Sequence, residues 1–87
     1  MSQKEKPEEL AELAKFYFLN KKFEESVKKY KEAIKLNPND PHLHYNLGIV
    51  YESMNILDLA KESFRKALSL DENFTSAKEH LEKLVGK

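Results

Sequence analysis

Apolar residues recur along the chain at spacings of three and four, which places them on one face of an α-helix. Four short breaks interrupt this pattern, and each contains an asparagine: 20–22, 37–40, 54–56 and 71–73. The pattern therefore predicts an all-α chain. Its five helices run over about Pro7–Leu19, Phe23–Leu36, Pro41–Ser53, Leu57–Leu70 and Phe74–Val85.

The same period predicts which side chains face inward and form the core. In the first two helices these are Leu10, Leu13, Ala14, Tyr17, Phe23, Val27, Tyr30, Ala33 and Ile34. In the last three helices they are Leu43, Leu47, Val50, Tyr51, Leu57, Ala60, Phe64, Ala67, Leu68, Ala77, Leu81, Leu84 and Val85. Folding of a chain of 87 residues buries slightly more than about 60% of the surface that the unfolded chain exposes, so we expect modest stability.

The middle helix carries the clearest start and stop signals. Asp40 is placed to cap its first turn, and Pro41 suits the first helical position, where no backbone N–H is needed. Asn55 is placed to end the helix region in the left-handed conformation. Gly48 lies inside the helix at a cost of roughly 1 kcal/mol against alanine, which predicts a closely packed neighbour.

An internal repeat appears when the chain is shifted by 34 residues. The identical pairs are Pro7/Pro41, Leu13/Leu47, Tyr17/Tyr51, Ala33/Ala67, Leu36/Leu70 and Asn39/Asn73. Conservative matches, such as Tyr30/Phe64 and Ile34/Leu68, lie between them at helical spacing. This is what a repeated helix pair retains, because each pair buries the same face against its neighbour.

The repeated residues resemble the tetratricopeptide repeat. The first copy carries Leu10-x-x-Leu13-Ala14-x-x-Tyr17 and Ser26-x-x-x-Tyr30-x-x-Ala33, followed by Pro38. The second copy is closer, with His44-x-x-Leu47-Gly48-x-x-Tyr51 and Ala60-x-x-x-Phe64-x-x-Ala67, although Glu72 replaces a frequent proline. The resemblance covers about residues 7–85. It implies antiparallel helix pairs stacked in a right-handed superhelix, whose concave groove binds peptides or other proteins.

The resemblance also divides the chain into units. We expect a flexible tail over residues 1–6, a first repeat over 7–40, a second over 41–74 and a C-terminal capping helix over 75–87. Glu82 occupies the slot of Ala14 and Gly48, where a further repeat would bury it at high cost without a partner. We therefore expect the array to end at this helix.

The implied groove is lined by the first, third and fifth helices. We expect its binding residues to be Glu12, Lys15, Phe18, His42, Tyr45, Asn46, Ile49, Glu52 and His80. A well-known subclass of the family grips acidic chaperone tails with Lys, Asn and Arg in five slots. Here those slots hold Ala11, Lys15, Asn46, Ser76 and His80, and only Asn46 matches. We do not expect such a clamp.

An apolar patch of Phe18, Tyr45 and Ile49, rimmed by glutamates, remains in the groove. One interpretation is an anchor pocket for an apolar or weakly basic peptide. The other is that Phe18 and Leu19 pack under the N-terminal tail or fill the end of the groove. The residues alone support both.

Composition excludes several other functions. Net charge is zero and no basic cluster interleaves with aromatics, so we expect no nucleic-acid partner. No cysteine is present and no apolar run approaches the roughly 20 residues of a membrane span. The N-terminus lacks the apolar segment of a signal peptide, and we expect a cytoplasmic location.

Chemistry is sparse along the chain. His42 and His80 both belong to the predicted groove, but no Asp or Cys completes a metal site, and His44 takes a packing slot. No nucleophile–base pair or phosphate-binding glycine loop stands out, so we expect neither an enzyme nor a cofactor. The leading hypothesis is a protein-binding module with an adaptor or assembly role. The alternative is a structural unit that self-associates, for example as a homodimer, without a peptide ligand.

Overall fold

The computed structural model describes residues 5–86 and confirms the five predicted helices. They are α1 Pro7–Leu19, α2 Phe23–Leu36, α3 Pro41–Ser53, α4 Leu57–Leu70 and α5 Thr75–Val85. Only α5 differs from the prediction, by one residue, because Phe74 takes the N-cap position instead of the first helical one. Most of the tail expected over residues 1–6 lies outside the described residues, as does Lys87.

The helices follow one another as antiparallel neighbours in an all-α superhelical arrangement. The hairpins α1–α2 and α3–α4 form the largest interfaces, and α3 packs on α2 as α5 packs on α4. The described chain is elongated, with extents of 49 × 27 × 16 Å. Each new helix therefore covers the one before it, and the two ends of the stack remain open.

Both hairpins reverse direction through the same turn. The Lys22 N–H donates to the Tyr17 carbonyl at 2.8 Å, and the Lys21 N–H donates to the Phe18 carbonyl at 2.9 Å, which is the Schellman pattern. Asn55 adopts the predicted left-handed conformation with φ 61°. The equivalent residue, Lys21, has the same φ of 61° and was not predicted, because lysine carries no such preference in sequence.

The signals read from the middle helix are confirmed. The Asp40 carboxylate accepts a hydrogen bond from the His42 N–H at 2.9 Å, and Pro41 begins α3. Gly48 lies against the fully buried ring of Phe64, and a Cβ at this position would come within 2.7 Å of the Phe64 Cε1 atom. The glycine is therefore required by the close approach of α3 and α4.

The equivalent crossing in the first hairpin uses a hydrogen bond instead. The buried Ser26 hydroxyl on α2 donates to the Ala14 carbonyl of α1 at 2.8 Å. Both residues are completely buried, so the two backbones approach closely here. Ser26 thus occupies the same position in the first hairpin as Ala60, also completely buried, in the second.

The predicted core is wrong at the two ends of the stack. Leu13 of α1 is 36% exposed and Val85 of α5 is 59% exposed. Phe16 is also 59% exposed, although its repeat equivalent Val50 is 1% exposed. We call Leu13 and Phe16 the outer face of α1. This face is open because no helix precedes α1 within the described residues to cover it as α2 covers α3.

Candidate protein-interaction groove

Two adjoining cavities lie between α1 and α3, where the groove was predicted. The first, which we call the apolar pocket, has a volume of about 360 Å³. It is lined by Lys15, Phe18, Leu19, Tyr30, Asn46, Ile49 and Val50. Four predicted groove residues, Lys15, Phe18, Asn46 and Ile49, are therefore brought together around one space. Neither of the tail residues described, 5 and 6, lines this pocket.

The apolar pocket has an aromatic and aliphatic wall and one cation at its rim. The Phe18 ring is half-buried and packs against Phe23, with ring centroids 5.6 Å apart, whereas Leu19 is 70% exposed. Phe18 thus packs on the start of α2, and Leu19 presents free apolar surface at the mouth. A concave apolar space with a few polar groups is the usual form of a ligand site.

The second cavity, which we call the acidic pocket, has a volume of about 240 Å³. It is lined by Pro7, Glu8, Ala11, Glu12, Asn37, Asp40, His42, Leu43 and Asn46. Of the predicted groove residues, it contains Glu12, His42 and Asn46. Its carboxylates come from both α1 and the N-terminal cap of α3, so the two helices contribute negative charge to the same space.

The two pockets share a wall. Asn46 lines both, and its side-chain amide can donate and accept hydrogen bonds. Burial, and after it the Glu12 carboxylate, raises the pKa of the Tyr30 hydroxyl above its usual value. Glu12 lines the acidic pocket and Tyr30 lines the apolar pocket. A carboxylate of one pocket therefore acts electrostatically on a hydroxyl group in the wall of the other.

The remaining predicted residues lie outside both pockets, between α3 and α5. Tyr45 packs on Phe74 and Phe64 with ring centroids 4.9 and 5.7 Å apart. His80 stacks on Phe64 at 5.3 Å, and its Nδ1 atom lies 2.9 Å from the Glu52 carboxylate. Tyr45 and Glu52 of α3 therefore both contact His80 of α5.

The other two histidines also have packing partners. The exposed His42 ring lies 4.8 Å from the Phe74 ring, and the His44 Nε2 atom lies 3.0 Å from the Pro38 carbonyl oxygen. Within residues 5–86 no cluster of three His, Cys, Asp or Glu side chains is arranged to hold a metal ion. Over the same range, no helix combines the length and apolar character needed to cross a bilayer.

Sequence reasoning missed part of the lining. Tyr30 and Val50 were assigned to the core from their period, and both also form the wall of the apolar pocket. Asn37 and Asp40 were read only as helix stop and cap, yet both line the acidic pocket. Period identifies the buried face of one helix, but the gap between two helices appears only once they are packed.

Comparison with known families matches this architecture. Residues 14–55 match the family description "TPR repeat", and residues 42–74 match "Tetratricopeptide repeat". Together the two matches span residues 14–74, or 61 of the 87 residues of the chain. The matched segments contain the turn at Asn55, the close approach of α3 and α4 at Gly48, and all the residues that line the apolar pocket.

Similar proteins extend well beyond this chain. The Hsp70-Hsp90 organising protein of Plasmodium falciparum (isolate 3D7) is 41% identical over 58 residues, which is 67% of this chain and 10% of that protein. MamA has the same fold, with a TM-score of 0.89 and 26% identity, over 91% of this chain and 46% of that one.

A second solved structure, the TPR2B domain of yeast Sti1 in a pHsp70 complex, superposes with a TM-score of 0.85 and 27% identity. The superposition covers 90% of this chain and 62% of that one. The chain thus spans less than two thirds of each of these similar proteins. The helix bounds, the 34-residue repeat and these matches agree, and the chain belongs to the tetratricopeptide repeat family.

Proposed function

We propose that this chain is a protein-interaction module that binds a peptide or protein segment in its concave groove, in an adaptor or assembly role. The observation that carries the proposal is the apolar pocket between α1 and α3. It brings Phe18, Ile49 and Asn46 around one open space that residues 5 and 6 do not fill. An apolar side chain of a partner would displace water from this wall and gain roughly 25 cal/mol per Å² buried.

The similar proteins support the class of function and leave the partner open. The similar Sti1 domain was solved in a pHsp70 complex, so this fold can hold a protein segment. The acidic-tail clamp is not expected here, because four of its five slots hold other residues: Ala11, Lys15, Ser76 and His80. A different ligand is therefore proposed for this groove. We also propose a cytoplasmic location for the module.

The test of this function is a comparison of three baits. Partners captured from cells that make the protein are compared for the parent, for Phe18→Glu with Ile49→Glu, and for Phe16→Glu. The last variant adds a charge to α1 outside the groove and is the matched control. We expect partners that are retained by the control and lost by the groove variant. Equal capture by all three, with folding verified by circular dichroism, would exclude the groove.

The outer face of α1 favours a second candidate, self-association without a peptide ligand. Leu13 is 36% exposed and Phe16 is 59% exposed, although their repeat equivalents are buried. An exposed apolar face at the end of a helical stack can be covered by a second copy. Sedimentation across a wide concentration range tests this candidate. A mass that rises with concentration and falls back in Phe16→Glu would support it, and a constant monomer mass would exclude it.

A further inference from the structure

The groove changes charge along its length. The acidic pocket contains the carboxylates of Glu8, Glu12 and Asp40, whereas Lys15 in the apolar pocket is the one cation that lines either space. With His42 neutral, the two linings carry three negative charges and one positive charge, a net of −2 on a chain whose total is zero. The groove is thus more negative than the molecule as a whole.

These carboxylates remain available to a ligand. None of the ion pairs formed within residues 5–86 involves Glu8, Glu12 or Asp40. Glu8 and Glu12 are exposed on α1, and Asp40 is half-buried where its carboxylate caps α3. A capping carboxylate keeps its charge and retains free lone pairs, so it can accept a further donor.

The spacing of the pockets can be read from the helices that line them. On α1 the lining moves from residues 7–12 to residues 15–19, and on α3 from 42–46 to 46–50. At 1.5 Å per helical residue, these steps correspond to about 6–11 Å. An extended peptide covers that distance in about two to three residues at roughly 3.3 Å each. One short peptide segment can therefore reach both pockets.

An acidic ligand fits this groove poorly. Ala11, Ser76 and His80 occupy slots that supply basic or amide groups in clamps for acidic tails, and His80 already lies against Glu52. A ligand carboxylate beside Glu8 and Glu12 would be repelled by their like charge. This repulsion lowers the affinity for acidic ligands. A lysine or arginine would instead meet several acceptors within the reach of one flexible side chain.

We propose that the groove is selective for a basic peptide. In this ligand a large apolar residue enters the apolar pocket, and a lysine or arginine two to three residues away enters the acidic pocket. The Asn46 amide lies between the two and is placed to bond the peptide backbone. This inference rests on the proposed function, because it assigns the ligand chemistry of the same groove.

The probes are fluorescein-labelled peptides of equal length with a central Leu-Phe anchor. The residues two and three positions to either side of the anchor are all Lys, all Ser or all Glu. Anisotropy titrations at low ionic strength measure Kd for the full chain. We expect the Lys peptide to bind about tenfold more tightly than the Glu peptide, with the Ser peptide between them. Added salt should reduce this difference.

The charge-reversal variant is Glu8→Lys with Glu12→Lys. Its matched control, Glu24→Lys with Glu25→Lys, makes the same charge change at exposed sites in the first turn of α2, outside both pockets. The groove variant should reverse the order of the Lys and Glu peptides, and the control should keep it. Circular dichroism and thermal unfolding verify that both variants fold.

The outcomes separate the ligand chemistry from the function itself. Equal Kd values for the three peptides, or an order that charge reversal at Glu8 and Glu12 leaves unchanged, would overturn the basic selectivity and leave groove binding intact. Tightest binding by the Glu peptide would do the same. Binding of none of the peptides, at concentrations where the folded chain is monomeric, would overturn both this inference and the groove as an anchor site.

Discussion

At the scale of single residues, the tightest constraint in the molecule is the contact between Gly48 and Phe64. The Phe64 ring is fully buried and is flanked by the rings of Tyr45 and His80, so it has little room to move. A Cβ 2.7 Å from this ring would force α3 and α4 apart or push the ring out of its rotamer. Local packing therefore outweighs the low helix propensity of glycine at this position.

We expect Gly48→Ala to lower the free energy of unfolding by about 1–3 kcal/mol, although alanine favours the helix by about 1 kcal/mol. Gly86→Ala is the matched control. There the new Cβ meets its nearest atom, the Glu82 carbonyl oxygen, at 3.4 Å, and φ is −73°. Urea unfolding of the two variants makes the comparison. A Gly48→Ala chain as stable as the parent would contradict the close-approach argument.

Tyr30 links stability to pH. Burial, and after it Glu12, raises the pKa of its hydroxyl, so the folded state holds this proton more tightly than the unfolded state. The resulting stability is fully present below the unfolded pKa of about 10 and is lost as pH rises through the folded pKa. Tyr30→Phe should therefore lose less stability than the parent between neutral pH and strongly alkaline pH. Identical losses in urea melts would contradict this linkage.

At the scale of the elements, the two hairpin turns carry the same backbone geometry on different residues. Asn tolerates the left-handed region, whereas Lys at the same φ of 61° carries steric strain between its Cβ and the backbone. The turn is nevertheless fixed at Lys21, because the Lys22 and Lys21 N–H groups satisfy two carbonyls at the end of α1. Strain at one residue is offset by the capping hydrogen bonds.

We expect Lys21→Gly to raise the free energy of unfolding by about 0.5–1 kcal/mol, because glycine adopts this conformation without strain. Asn55→Gly should gain clearly less, since asparagine already tolerates it. Chemical denaturation of both variants measures the difference. A larger gain at Asn55 than at Lys21 would show that backbone strain does not limit the first turn.

Burial differs between equivalent residues of the repeat, and this difference has a measurable consequence. Val50 is 1% exposed between α2 and α3, whereas Phe16 is 59% exposed on the outer face of α1. We expect Val50→Ala to cost about 1–3 kcal/mol of stability and Phe16→Ala less than about 0.5 kcal/mol. Denaturation of both variants at a concentration where the chain is monomeric checks this. Similar losses would mean that Phe16 is covered in solution.

Burial at equivalent positions of the repeat marks the limit of prediction from sequence. Period and turn residues predict the helices, the Asp40 cap and the Gly48 crossing, because each depends on contacts along one helix or on a constraint at one position. They do not distinguish Leu13 from Leu47, since both occupy the same position of the repeat and both are predicted to face inward, yet Leu13 is 36% exposed and Leu47 6%. Whether that face is covered depends on the next helix in space, and the same limit hid Tyr30 and Val50 as pocket walls.

At the scale of the whole molecule, the concave surface divides into two parts that differ in packing. Between α1 and α3 it contains the two open pockets. Between α3 and α5 it is closed by stacked rings and by the Glu52–His80 contact of 2.9 Å. Three of the predicted groove residues, Tyr45, Glu52 and His80, thus contact the last helix or each other, and the α1–α3 part is the site that we propose for a partner.

The role of α5 as the end of the stack remains our proposal, together with the repeat units 7–40 and 41–74. Ala77 and Leu84 are the buried residues of α5, whereas Glu82 of the same helix is exposed. A polar outer surface is what a terminal helix needs in order to stay in water. The opposite end differs, because the outer face of α1 is apolar and open within the described residues.

The central claim is that a partner contacts the α1–α3 groove, and site-specific photo-crosslinking tests it most directly. A photoreactive amino acid replaces Leu19, at the mouth of the apolar pocket, or Phe16, on the outer face of α1. Both side chains are exposed, so neither replacement disturbs the core. In the cells that make the protein, we predict a discrete adduct with another protein from position 19 and not from position 16. Adducts from position 16 alone, or adducts with the mass of two copies of this chain, would contradict the claim.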